Sequence, residues 1–333
     1  MRNLAIILVL AACGGSDSVA VANYSDAAHE SFCRYLARCG GVENVETCLE
    51  INVGLTFRIS ASLQAAVEMG KVKYSADNAG SCLDGLAGQS CDLTSKSSRE
   101  APDACRKISS GTLHEGATCG LDAECISLFC DLPTTCDQAC CTGSCIGDAA
   151  PPGLAALGQS CEAARCGPDS FCDDATLVCT ALKPSGAGCA VLSECQYGLY
   201  CSSGGSCAAL PGLGQPCTVG CRDDGTTCSA ATGTCVKVGL VGAACITGDD
   251  CSPVYRCDAT RHCARYVALG APCTLNGAPC GDDGAFCDAP IGQGAGVCAL
   301  PKADGMPCSR NAACDSLYCD PLTVTCAPEP VCI

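Results

Sequence analysis

Thiols are the reactive groups this chain has in abundance: 39 cysteines among 333 residues. Their placement is regular, because Cys161, Cys189, Cys217, Cys245 and Cys273 follow one another at intervals of 28 residues. Each opens a group of four: Cys161, Cys166, Cys172 and Cys179; Cys189, Cys195, Cys201 and Cys207; Cys217, Cys221, Cys228 and Cys235; Cys245, Cys251, Cys257 and Cys263; Cys273, Cys280, Cys287 and Cys298. The same grouping occurs out of phase as Cys119, Cys125, Cys130 and Cys136, and as Cys308, Cys314, Cys319 and Cys326. Thiolates can grip a metal or oxidise to disulfides. A zinc ribbon needs close ligand pairs, typically C-x2-4-C. There is no C-x2-C here, C-x3-C occurs only within 136–145 and at Cys217–Cys221, and the chain has 3 histidines. Disulfides are therefore expected at all these positions, with no metal and no cofactor. Four cysteines per unit allow three pairings, of which first-to-third with second-to-fourth is the one expected.

A fixed period of this size marks a tandem array of small units. Pieces below about 40 residues bury too little to fold on apolar packing alone. Two cross-links per unit, at about 2–4 kcal/mol each, would supply the missing stability. Every unit has glycine three residues before its first cysteine, from Gly116 to Gly305. That is the residue expected where a turn needs positive φ or a close backbone approach. The segments between cysteines are short and rich in Gly, Asp, Ser and Thr, so turns and very short strands are expected. After the first unit, Cys140-Cys141 and Cys145 form an insert without counterpart elsewhere.

The region 24–110 reads differently, as a small helical domain with Cys33, Cys39, Cys48, Cys82, Cys91 and Cys105 as staples. Ser25 or Asp26 could cap a first helix with an apolar side of Ala28, Phe32, Leu36 and Cys39, ended by Gly40-Gly41. A second candidate runs from Asn44 to Met69, broken near Gly54, and a third from Ser75 to Leu86, weakened by Gly80 and Gly85. The fold class expected is thus a disulfide-stapled α-helical domain (24–110) followed by small disulfide-rich repeats in tandem (111–333).

The first residues bear on location. Arg2 precedes the apolar run Leu4–Ala12, which is too short for a membrane span but suits a signal peptide over residues 1–12. The run ends Leu10-Ala11-Ala12-Cys13, which resembles the lipobox of bacterial lipoproteins. The resemblance implies cleavage before Cys13, acylation of its thiol, and a tether over 13–23. Gly14 stands where Asp would signal inner-membrane retention in enteric bacteria, so the resemblance points to the outer membrane. Assigning Cys13 to lipid leaves an even number of cysteines, and so many disulfides require an oxidising compartment. The formal charge of −16 gives no electrostatic footprint for nucleic acid.

The segments CITGDDCSPVYRC, CAVLSECQYGLYC and CSRNAACDSLYC are similar to the opening of the Dickkopf N-terminal cysteine-rich domain. The array as a whole is also similar to cysteine-rich repeat lipoproteins of bacteria. The resemblance spans Gly116 to Cys332 and implies a disulfide-held, non-enzymatic extracellular module. Units two and four depart from it with C-x4-C and C-x3-C.

Three further patterns carry candidate chemistry. Asp223-Asp224 and Asp282-Asp283, each followed by glycine, place carboxylates in cysteine-clamped loops and are calcium candidates, as are Asp173-Asp174 and Asp249-Asp250. Calcium takes six to eight oxygens, however, and Asp-Asp-Gly is an ordinary turn sequence. An aromatic precedes the third cysteine at Phe129, Phe171, Tyr200, Phe286 and Tyr318, with Tyr255 displaced by one. These rings are expected to cover the disulfides of their own units, the alternative being a row for stacking on sugars. No H-E-x-x-H, G-x-S-x-G or phosphate-cradling loop is present, so no catalytic residues are expected. The function expected is a lipid-anchored envelope surface protein whose repeats act as a spacer or as a binding surface for a protein or glycan. The alternative is a knot-like protease-inhibitor array, for which the segment between Cys287 and Cys298 is the one long loop within a unit.

Overall fold

The computed structural model describes residues 18–50, 59–133, 140–148 and 154–331, apart from positions 163, 219, 253, 259, 266, 268, 276–279, 281–284 and 291. The signal sequence, Cys13, Cys136, Asp282 and Asp283 lie outside the described residues. No helix among the described residues is long and apolar enough to cross a membrane.

The N-terminal part is helical. Helix α1 spans Tyr24–Cys39, α2 Val45–Leu49, α3 Ala61–Glu68, α4 Ala76–Ala87 and α5 Lys96–Arg99. The chain is already held from Val19, whose amide donates to the Ala76 carbonyl and whose carbonyl accepts the Tyr74 hydroxyl. Helix α1 therefore starts two residues or more before its sequence signals suggest, with Asn23 at the cap. Ser25 instead accepts the Ile59 amide. Gly40 ends α1 in the left-handed conformation at φ 79°. The buried side of α1 is Ala28, Ser31, Cys33 and Leu36, rotated from the expected face. Two bonds set that rotation: Cys33 is tied to Cys48 of α2, and the Ser31 hydroxyl donates to the Leu83 carbonyl of α4. The caps of α2, α3 and α4 are Asn44, Ser60 and Ser75, each accepting an amide three residues on. Gly85, which weakens α4 in isolation, leaves the space that Pro102 occupies against that helix. Cys82–Cys105 and Cys39–Cys91 complete the staples.

Strand β1 (Val72–Tyr74) pairs antiparallel with β2 (Ser109–Gly111), and this joins the helical part to the array. Each unit is then an antiparallel hairpin whose third and fourth cysteines sit directly opposite one another, as Cys172 faces Cys179 and Cys201 faces Cys207. The disulfides cross from these two strands to the first and second cysteines. Six units pair first-to-third and second-to-fourth, from Cys161–Cys172 and Cys166–Cys179 to Cys308–Cys319 and Cys314–Cys326.

Unit one keeps this order with a different fourth member. Cys119 bonds Cys130, but Cys125 bonds Cys145 rather than Cys136. The return strand (Gly143–Cys145) pairs with both Thr118–Cys119 and Cys130–Asp131. The Cys140-Cys141 insert therefore lies inside the unit, between its third and fourth cysteines. Both of these cysteines are disulfide-bonded as well.

The leading glycines explain how each unit closes. All seven have φ between 78° and 86°. In every unit the glycine amide donates to the carbonyl of the fourth cysteine, as Gly186 does to Cys207 at 2.8 Å. That cysteine's amide donates back to the carbonyl of the residue after the glycine, as Cys207 does to Ala187 at 2.9 Å. Nothing lies within 4 Å of where a Cβ would stand at any of the seven. The requirement is for backbone conformation alone, since other residues resist positive φ.

Candidate functional site

The array does not extend away from the helical part; it folds back onto it, and the seam between them holds the side-chain hydrogen bonds of longest sequence separation. Unit four docks through the Asp223-Asp224-Gly225 turn. Asp223 bridges Asp92, and the Leu93 amide donates to the Arg222 carbonyl at 2.9 Å. The Asp224 amide donates to the Cys91 carbonyl at 2.6 Å. Its carboxylate accepts the Gly225 amide at 2.9 Å and hydrogen-bonds the Tyr35 phenol. Burial first, then that carboxylate, pushes the Tyr35 phenol well above its ordinary range. Gly225 has φ 73°, and a Cβ there would collide with the Cys39 carbonyl.

Two of the calcium candidates are thus committed to docking. Asp223 also takes the Arg222 guanidinium at 3.2 Å. Asp250 and Asp173, two further candidates, serve turns. Asp250 accepts the Ile246 and Thr247 amides at 2.7 and 2.9 Å, and Asp173 accepts those of Ala175 and Thr176. The cysteine triads close enough to hold an ion, such as Cys119, Cys125 and Cys130, have their sulfurs in disulfides. No thiolate is available in them.

Unit five makes the most apolar part of the seam. Tyr255 is fully buried in a cluster that joins Leu36, Val42 and Cys33–Cys48 of the helical part to Cys245, Cys251 and Cys263. Its hydroxyl donates to Glu43, and the Ser252 hydroxyl donates to the Gly41 carbonyl. Burial pushes the Glu43 carboxyl up, but hydrogen bonds from Tyr255 and the Val241 amide outweigh it and leave the group below its ordinary value. Arg265 pairs with Glu50 and donates to the Thr47 carbonyl at 3.1 Å.

The aromatics before the third cysteines do not behave as one set. Residues along a strand alternate faces, so a ring next to a cysteine points away from that cysteine's core. Phe286 accordingly packs into the cluster of the following unit with Cys308, Ala313, Cys314 and Cys326. Phe171 is buried under Lys183 of the next unit, whose amine sits 5.2 Å from the ring centre. Tyr255, two positions before its cysteine, lies on the cysteine side and does cover its own disulfides. Phe129 is 59% exposed. With Phe171, Tyr255 and Phe286 buried, the rings form no continuous row for stacking. The segment between Cys287 and Cys298 is also constrained: Ala295–Ala299 pairs with strands on both sides.

No protein-family model, curated protein or solved structure matches this chain.

A cleft of small-molecule size lies on the seam. It lies where α5 and residues 100–106 meet units two and three, and has a volume of about 350 Å3. Arg99, Arg106 and Arg165 line it with Glu100, Tyr197 and Leu182. Arg99 donates to the Leu192 and Cys195 carbonyls at 2.9 and 3.0 Å, and its guanidinium stands 5.0 Å over the Tyr197 ring. The Tyr197 hydroxyl donates to Glu100. Sequence reasoning passed over these arginines because the chain brings them from scattered positions. One signal was present. The residue before the second cysteine is acidic in units one, three and five, where Glu124, Glu194 and Asp250 accept the amide after the first cysteine at 2.8, 3.1 and 2.7 Å. Unit two has Arg165 there, which has no such local task.

Proposed function

We propose that the chain is an exported, lipid-anchored, non-enzymatic protein of a bacterial cell envelope, and that its repeats present a binding surface for a glycan or protein. The Leu10-Ala11-Ala12-Cys13 sequence supports the anchor, and Gly14, in place of a retention Asp, favours the outer membrane. The density of disulfides supports an oxidising, extracytoplasmic location. The likeness of the cysteine spacing to Dickkopf-type domains supports a recognition module rather than an enzyme, without a receptor being carried over from that family. The observation that carries the binding reading is the seam. A spacer gains from units that stand apart, whereas units three, four and five are locked to the helical part by Tyr197–Glu100, Asp224–Cys91 and Tyr255–Glu43. Such locking costs reach and yields a fixed surface. Metabolic labelling with palmitate tests the anchor, because label should enter the native chain and be lost in Cys13→Ser. Retention of label in that variant would refute it. Adhesion of cells with and without the chain tests the binding role, and equal adhesion to every glycan and protein surface tried would refute it.

A further inference from the structure

The cleft beside α5 has the chemistry of a receptor for negative charge on a chain whose formal charge is −16. Three guanidinium groups line it against one carboxylate, that of Glu100, which already takes the Tyr197 hydroxyl. Arg165 has no ion-pair partner among the described residues. Among the described residues Arg106 pairs with Asp103 alone, at 3.9 Å, with its own side chain partly and that of Asp103 largely in solvent. Arg99 is half-buried and spends its donors on neutral carbonyl oxygens, so its charge is offset only in part, by Glu100 and the Tyr197 ring. Burial accordingly pulls the Arg99 guanidinium below its ordinary value. A guanidinium held in this state gains from an oxyanion, since charge-assisted and bidentate pairs with carboxylate or sulfate are the strong ones. The remaining wall combines the apolar Leu154, Pro168 and Leu182 with the hydroxyls of Ser170 and Ser193. At about 350 Å3 the cleft sits at the small end of ligand pockets.

We propose that this cleft binds a small organic anion, a carboxylate or sulfate carried on a body the size of one sugar ring, gripped by Arg106 and Arg165 beside the fixed charge of Arg99. The inference rests on the surface-binding reading and names the ligand class for it. Arg106 and Arg165 are the gripping groups because both are exposed and uncommitted, whereas Arg99 holds the seam together.

Calorimetric titration of the oxidised chain with glucuronate, glucose 6-sulfate and glucose tests it. One or both anions should bind at concentrations below about 10 mM, with glucose silent. Binding should weaken severalfold in about 0.5 M salt. Arg106→Gln with Arg165→Gln should weaken it by about tenfold or more, with thermal stability unchanged because neither side chain is buried. Equal binding of glucose and the anions, no binding of either anion, or native affinity in the double variant would overturn the inference. Those results leave cell adhesion to judge the surface-binding reading separately, because adhesion is scored without any of these probes.

Discussion

Truncating Tyr255 should open the seam without unfolding the unit that carries it. The ring is fully buried between α1 and unit five, and loss of a buried aromatic side chain costs about 3–5 kcal/mol. Cys245–Cys257 and Cys251–Cys263 keep unit five closed whatever happens at the seam. The deficit therefore falls on docking. At about 1.4 kcal/mol per decade, even 3 kcal/mol raises the open population about a hundredfold. Hydrogen exchange followed by mass spectrometry reads this directly, because local opening governs amide exchange. In Tyr255→Ala, peptides covering 36–43 and 248–257 should exchange about a hundredfold faster, with units one and seven unchanged. Tyr255→Phe keeps the packing and removes only the bond to Glu43, a charged partner, so about 1.5 kcal/mol and roughly a tenfold acceleration are expected. If the end of α1 exchanged within about threefold of the native chain in Tyr255→Ala, the ring would not couple the two parts and the seam would be wrong.

Acid should loosen the same contact. Glu43 is held below its ordinary value of 4.5, so its contribution is present above that pH and lost as pH falls through the lower folded value. Protection of the seam amides, measured relative to their intrinsic exchange rates, should fall as pH drops below 4.5 and should lose that dependence in Glu43→Gln. Two glycines should respond differently to alanine. Gly186→Ala meets open space and should cost about 1–2 kcal/mol for its positive φ, read as a fall in melting temperature. Gly225→Ala adds a collision with the Cys39 carbonyl and should release unit four, exposing the 222–226 turn to limited proteolysis. Gly220→Ala, with no neighbour and no positive φ, should be neutral. Calcium should leave the melting temperature unchanged, while Asp224→Asn should lower it in calcium-free buffer by weakening the pair with Tyr35.

Much of the local structure was legible because it is written in short-range rules. The spacing of cysteines defines the units, the seven leading glycines mark the turns, and Asn44, Ser60 and Ser75 mark helix starts. Unit one misled for a specific reason. Cys136 follows Cys130 by the same six residues that separate Cys201 from Cys207, so spacing alone favours it over Cys145. Only the closing bonds identify the true fourth member: the Gly116 amide donates to the Cys145 carbonyl, and the Cys145 amide to Ala117. The opposite facing of Phe286 was readable from strand alternation but was not used. The seam was not readable. It joins single side chains about one hundred to two hundred residues apart, such as Tyr197 with Glu100 and Tyr255 with Glu43, and no periodic pattern records such a pair. Asp223-Asp224-Gly225 shows the limit well, since the turn was evident and its partner was not.

The most direct test is a disulfide map of the purified, non-reduced protein by proteolysis and mass spectrometry. Peptides joined through Cys161–Cys172 with Cys166–Cys179, through the corresponding pairs of the other units, and through Cys125–Cys145 are the expected result. Bridges between first and second cysteines of a unit, or recovery of these residues as free thiols, would contradict the architecture and the seam built on it.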